Sequence, residues 1–306
     1  MTTVQRRPAI ATPAGERERL APPPSLPAVP WRRWAGRALI VALLAVAAVV
    51  FLYPAVWLVS ASLKDSAHVF DGNLVPEALH PENYARLFAM APVGQWVVNS
   101  ALVSFLAAST VTLSSAFVAF GFAYFRFPGR DLLFGLVLAS LMLPGAVTMI
   151  PGFLIWDALG FNGSLVPLWA GNLFASAFYV FLLRQFFLGL PRELFEASRV
   201  DGASYPRMWW SVALPLTLPA LVVVFVFELK ASWTDLVRPL MFLHDMSAFT
   251  LPLGLKAIID NPSIGGQKAW ELLAAGGVIV SVPMVIVFLL GQRAFVDGIA
   301  TTGSKG

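Results

Sequence analysis

The chain has 306 residues, 58% of them in the apolar and aromatic AVILMFWYC class and only 12% charged, with a formal net charge of +4. Soluble domains carry about a quarter charged residues, so this composition excludes an ordinary soluble domain and points to one polytopic membrane domain. Cysteine is absent, which excludes disulfides, thiolate nucleophiles and cysteine metal sites, while the basic residues gather at the ends of apolar runs, a mark of topology rather than of nucleic-acid binding.

Residues 1–36 read as a solvated tail. The stretch "ERERLAPPPSLPAVP" is charged, then proline-rich, and has little to bury, so disorder is the expectation. The apolar run that follows is longer than the core of a secretory signal and shows no cleavage site. A helix crossing a bilayer needs roughly 20 apolar residues, and six segments meet that need: about 38–62, 96–125, 132–156, 165–187, 212–233 and 272–291. The fifth is the most interrupted, because it holds Pro215, Pro219, Glu228 and Lys230. The expected fold class is therefore an all-α membrane protein with six transmembrane helices.

With the N-terminus inside, 15 of the 21 Lys and Arg residues fall on the inner side, which places both termini in the cytoplasm of a cell with this chain in its plasma membrane. The two long outer loops, about 63–95 and 234–271, contain the amphipathic pieces "PENYARLF" and "KAIID", expected as helices along the membrane surface. His68, His80 and His244 all lie in these loops and read as scattered solvated side chains, with no metal site expected.

Between the fourth and fifth segments stands "ELFEASRVDGAS", residues 193–204, the least lipid-like stretch in the middle of the chain. Pro191 suits the start of a helix and "PRELFEASRV" gives one of about ten residues, roughly 15 Å long, before a break at Gly202. On that helix Arg192, Glu196 and Arg199 share a face at i, i+3 and i+4 spacing, with Leu194, Ala197 and Ser198 opposite. Physical pattern alone leaves two readings open, a solvated connector or a docking element approached closely at the small Ala197 and Ser198.

The detailed pattern adds a resemblance. Glu196-Ala197-Ser198, then Gly202 and Leu214-Pro215, resembles the EAA loop of permease subunits in binding-protein-dependent ABC importers, with Ser198 where the motif has its second alanine. "NYARLF" (83–88), "VNSALVS" (98–104), "AYFRFPGRD" (123–131), "LMLPGAVTMIP" (141–151), "SWTDLVRPLMFL" (232–243), "TLPLGL" (250–255) and the terminal "GSKG" are similar, in the same order, to landmarks of the carbohydrate branch, the maltose-type second permease. The likeness covers about 38–306. It implies the type I ABC importer permease fold and a cytoplasmic coupling helix seated in a separate ATPase. Carried onto this chain, it assigns docking to Glu196, Ala197, Ser198 and Gly202, with Arg192, Arg199, Asp201 and Ala203 beside them. The implied partners are a second homologous permease, two ATPase subunits and an external solute-binding protein. The chain itself would hold no cofactor, since ATP-Mg belongs to the ATPase, and would catalyse no covalent step. A sugar or related polyol is the implied cargo, with a glycerol-phosphate-type solute as the alternative.

No G-x-x-x-x-G-K-[ST] phosphate loop occurs, and "SIGGQ" at 263–267 reads as a glycine turn rather than an ATPase signature. Glu228 and Lys230 are charges inside an apolar segment, where insertion costs about 2.5–3.5 kcal/mol each. Being two residues apart they point in different directions, either as a polar wall of the translocation path or as charges stabilised by other chains. Trp233 and Asp235 match the family's W-N-[DE] segment, with Thr234 replacing the asparagine. Asn99 and Asn172 are candidates for the path or for interhelical bonds, and Ser115, Ala119 and Ala123, spaced by four, for close helix packing. Two other classes compete. An autonomous secondary transporter would show ion relays and inverted halves, and a membrane enzyme would show clustered His, Asp or Glu at the bilayer face.

Overall fold

The structure, a computed structural model, describes residues 31–261 and 269–303. The tail up to residue 30, the "SIGGQ" turn and the last three residues lie outside that range. Every regular element among the described residues is helical. The chain divides after Pro54 into two compact units. The first contributes the leading part of α1 (Trp31–Ser62), whose residues 31–36, expected in the tail, are already helical and whose apolar side chains from Leu39 to Tyr53 are exposed.

The second unit is built on α3 (Val93–Tyr124), which follows α2 (Glu82–Met90). At 32 residues α3 is about 48 Å long, more than a bilayer's hydrocarbon needs. Its inward stripe is small: Ala107, Ala108, Ser115, Ala116 and Ala119 are fully buried, so neighbouring backbones approach closely. Two helices use that stripe, α6 (Ala177–Leu188) and α10 (Leu218–Trp233), and α10 then packs on α13 (Trp270–Gly303).

Three helices among the described residues are long and apolar enough to cross a membrane unbroken: Gly36–Ser62, Val93–Tyr124 and Trp270–Gln292. The other three expected spans are helical but interrupted. The third is α4 (Arg130–Ser140) and α5 (Gly145–Ala158), set at 98°, because Pro144 is extended at φ −60, ψ 132 and stops the first helix. The fourth starts as two 3-10 turns, Val166–Leu168 and Ala170–Phe174, and only its last 12 residues form α6. The fifth begins earlier than expected. After α7 (Arg192–Val200) comes α8 (Tyr205–Met208), a π turn at Trp209–Ala213 and α9 (Leu214–Leu216), and the path then turns by 79° into α10. Thr217 makes that corner. Its hydroxyl donates back to the Ala213 carbonyl at 2.8 Å, and Pro219 has no N–H with which to continue the ladder.

The far end of α3 is closed by the loops that follow α1 and α10. Asn83, buried on α2, donates its amide to the Ser62 and Lys64 carbonyls at 3.1 and 2.8 Å and so caps the end of α1. Beyond α11 (Val237–Phe242), the loop 246–250 runs into α12 (Leu251–Asp260). Trp96 Nε1 donates to the Met246 carbonyl at 2.8 Å, and Ser100 Oγ accepts the Leu251 amide at 2.7 Å. Both amphipathic pieces are helical, in α2 and α12, but their apolar faces are turned onto α3 and α13.

Candidate functional site

The charged segment folds as the sequence leads one to expect. Pro191, extended at φ −60, ψ 126, ends the turn after α6 and starts α7. Glu193 in the first turn and Arg199 in the last both complement the helix dipole. The helix closes in a Schellman arrangement: the Ala203 amide donates to the Ser198 carbonyl at 2.9 Å and the Gly202 amide to the Arg199 carbonyl at 3.0 Å. Gly202 takes φ +80, the left-handed position that glycine fills without a Cβ penalty.

One side chain fixes this helix to the bundle. Phe195 is 4% exposed, with its ring 5.9 Å from Phe120 and 5.5 Å from Tyr124, both on α3. Phe187 of α6 and Tyr205 of α8 complete the aromatic cluster, at 5.6 Å from Phe120 and 6.2 Å from Tyr124. Burying one phenylalanine is worth about 1.5–3 kcal/mol, and each favourable ring pair adds about 0.5–1.5 kcal/mol. The handle is therefore stiffly mounted.

The helix is exposed on both sides of that anchor, but the small face read off the sequence is split. Arg192, Glu196 and Arg199 border a cleft of about 210 Å³ on the bundle side, against Phe120, Tyr124 and Phe187. The Arg199 guanidinium lies 5.3 Å over the Tyr205 ring. Ser198 is half-buried and donates its hydroxyl to the Leu194 carbonyl at 2.9 Å. Ser198 and Ala197 therefore do not present one small patch together. Ala197 stands exposed on the outward side with Glu193 and with Val200, which is 88% exposed. Asp201 and Gly202 are exposed beyond it, and Ala203 is half-buried. Phe195 as anchor and Val200 as outward apolar contact were not anticipated. A lone aromatic within a charged run was the signal for the first.

The four residues assigned to the path do not come together. Asn99 is buried, with its amide donating to the Ser247 and Phe249 carbonyls at 2.9 and 3.0 Å and its oxygen accepting from Gln95, so it clamps the outer loop. Trp233 is buried too, and its indole N–H donates to the Val280 carbonyl at 3.0 Å, joining α10 to α13. Lys230 is exposed, in an apolar groove with Phe227, Val280 and Met284. Glu228 points the other way, as its spacing from Lys230 requires. Its carboxylate accepts the Asn172 amide at 2.7 Å and the Tyr179 hydroxyl at 3.2 Å. Asn172 also donates to the Ala107 carbonyl at 3.1 Å, and its own carbonyl accepts the Ser114 hydroxyl at 2.9 Å. This network joins α3, α10, the 3-10 segment and α6. The distance in sequence between Glu228 and its partners hid it.

The three histidines lie apart. His68 meets Asp65, His80 meets Glu82 and His244 meets Asn162, and no group of three or more candidate metal ligands occurs among the described residues.

Comparison with known proteins completes the picture. The family model described as "Binding-protein-dependent transport system inner membrane component" matches residues 112–300. The chain is 31% identical over 272 residues to the galactooligosaccharides transport system permease protein GanQ of Bacillus subtilis, covering 86% of this chain and 94% of the relative. It is 33% identical over 270 residues to the sn-glycerol-3-phosphate transport system permease protein UgpE of Yersinia pestis, covering 84% and 93%. In structure it matches a chain from a bacterial ABC transporter involved in the import of the acidic polysaccharide alginate, with a TM-score of 0.74, 22% identity, and coverage of 88% and 98%. The helical architecture is that of a type I importer permease. With its short helix between two membrane segments and its match along most of its length, the chain belongs to the family of binding-protein-dependent transport system inner membrane components.

Proposed function

We propose that this chain is the permease subunit of an ATP-driven importer that carries a sugar, oligosaccharide or related polyol across the plasma membrane. The observation that carries the reading is α7. A nine-residue charged helix is mounted rigidly on the bundle by Phe195, stopped by a Schellman turn, and leaves Glu193, Ala197 and Val200 facing outward. Such a helix is a handle. A separate ATPase that grips it and closes on ATP supplies binding energy that differs between inward- and outward-open states, and the bundle follows. Docking rests on Glu196, Ala197 and Gly202, with Glu196 exposed at the edge of the cleft beside Arg192 and Arg199, and with Ser198, Asp201 and Ala203 shaping the turn. Both termini and α7 face the cytoplasm. A second permease, two ATPase subunits and an external solute-binding protein complete the assembly. The names of the curated relatives support a carbohydrate or polyol cargo.

The test is purification of a tagged copy from native membranes, reconstitution in vesicles, and ATP-dependent uptake of an oligosaccharide panel alongside glycerol 3-phosphate. An ATPase should co-purify. Ala197→Trp should abolish uptake and stimulated ATP hydrolysis while leaving membrane insertion intact. Gly202→Pro should do the same, because proline cannot adopt φ +80. Normal uptake in both variants, or uptake driven by an ion gradient without ATP, would sink the reading. Preference for glycerol 3-phosphate would move the cargo to the phosphorylated class.

A further inference from the structure

Ala175 is the one non-glycine residue among the described residues with positive φ, at φ 64 and ψ 171. That region belongs almost wholly to glycine, and a side chain held there persists only where its surroundings over-determine it. The surroundings do so. On one side Asn172 is fixed by Ser114, by the Ala107 carbonyl and by Glu228. On the other, the Ser176 amide donates to Ser115 Oγ at 3.1 Å, and Tyr179 donates to the second oxygen of the same Glu228. Glu228 thus holds the chain both before and after the strained residue. No Lys or Arg among the described residues lies within ion-pair distance of it, so its bonds are to an amide and a phenol.

The position of this joint gives it a role. It stands at the head of α6, and the foot of α6 leads within four residues into α7. One rigid helix of about 18 Å therefore has the handle at one end and a strained, latched hinge at the other.

We propose that Glu228 is a positioning residue, a latch that pins the Ala175 hinge so that α6 and its handle move together with α10 instead of swinging alone. The proposal rests on the permease reading and goes beyond it, because docking at α7 does not require a latch in the interior. Glu228→Ala frees the hinge. Glu228→Gln keeps an acceptor for Asn172, while its new amide donates to the Tyr179 oxygen in place of accepting from it, so the hinge is held by neutral bonds. Ala175→Gly removes the steric cost of the latched backbone and tightens the latched state.

The experiment is hydrogen exchange on the intact complex, co-purified through a tag on this chain and placed in lipid nanodiscs, before and after trapping with ATP-Mg and vanadate. In the resting complex, amides 173–178 of the Glu228→Ala variant should exchange about tenfold faster than wild type, the loss expected of a bond to a charged group. Glu228→Gln, whose bonds are neutral, should fall between wild type and Glu228→Ala, and Ala175→Gly added to Glu228→Ala should return the rate toward wild type. Trapping should shift exchange on α6 and α10 together in wild type and on α6 alone in Glu228→Ala. Unchanged exchange at 173–178 in Glu228→Ala overturns the latch, and so does a joint response of α6 and α10 in that variant. If Glu228→Ala fails to assemble, Ala175→Gly alone decides, since it must slow exchange at 173–178 and a faster or equal rate overturns the proposal. Absence of ATP-dependent uptake by the wild-type complex is a separate failure, of the permease reading, and leaves the exchange result to stand by itself.

Discussion

At Gly254 a single methyl group would decide whether the outer end of the molecule can close. A Cβ there would stand 2.2 Å from Cδ2 and Cε3 of Trp96, a fully buried ring whose indole N–H is tied to Met246. The ring cannot retreat without breaking that bond. Gly254→Ala should therefore cost about 1–3 kcal/mol or more through overpacking, seen as a lower melting point in detergent. At Gly277 the nearest atom is the flexible end of Leu58 at 3.1 Å, and alanine there should cost much less. The comparison of the two variants checks the geometry independently of function.

Asp71 makes a second residue-scale case, with pH as the probe. Lys64, only 3% exposed, donates to Asp71 Oδ1 and to the Asn73 carbonyl, each at 2.5 Å. The lysine bond, more than the Asn73 amide, holds the Asp71 carboxyl below the ordinary carboxylate range. A carboxyl depressed on folding adds stability above its unfolded value, and that contribution disappears as pH falls through the folded value. Amides of residues 65–79 should thus keep their protection from pH 8 to about 5 and lose it below about pH 4. Asp71→Asn should exchange faster already at pH 7, with a flatter pH response. Equal protection in the variant at pH 7 would remove Asp71 as the anchor of this loop.

At the scale of elements, α7 is informative because its fold and its mounting have different origins. Pro191, the charge order from Glu193 to Arg199, and Gly202 are local signals, and they sufficed to place the helix and its stop. The mounting is not local. Phe195 reaches residues about 70 positions away on α3, and nothing in a 3.6-residue pattern names that partner. The same division runs through the chain. Small residues on α3 announced close packing, and Asn83, Asn99 and Gly254, met first as parts of family landmarks, turn out with Trp96 to be clamps and close approaches between loops and helices. The breaks at Pro144, Thr217 and Ala175 were harder to see, because apolar runs continue straight through them and hydropathy does not register a turn of the backbone. Phe195→Ala separates mounting from folding. Truncation of a buried phenylalanine costs about 3–5 kcal/mol, and here the loss falls on a peripheral element. The variant should insert and keep its outer-end packing, while amide exchange across 192–204 rises and stimulated ATPase activity falls. Phe195→Leu should fall between. Wild-type coupling in Phe195→Ala would show that the handle needs no rigid mount.

For the whole molecule the decisive quantity is sidedness. The outer-loop elements and α7 lie at opposite ends of α3, since Trp96 is near its start and packs with the loop at 246, whereas Tyr124 is its last residue and packs with Phe195. One determination of side for either end fixes both. The excess of arginine and lysine beside the segments that flank α7 predicts a cytoplasmic position for that end, because moving such charges through the bilayer is costly. The chain contains no cysteine, so each introduced thiol is a unique reporter. Val75 in the loop after α1 is 78% exposed and Val200 on α7 is 88% exposed, which makes both accessible once reached by reagent. In intact spheroplasts a membrane-impermeant maleimide should label the Val75→Cys variant and spare Val200→Cys. Opening the membranes in denaturant, which also strips any ATPase covering α7, should label both. Labelling of Val200→Cys in sealed cells would put the handle outside, where no ATP-driven partner could grip it. Labelling of Val200→Cys with Val75→Cys spared would invert the topology of the entire bundle.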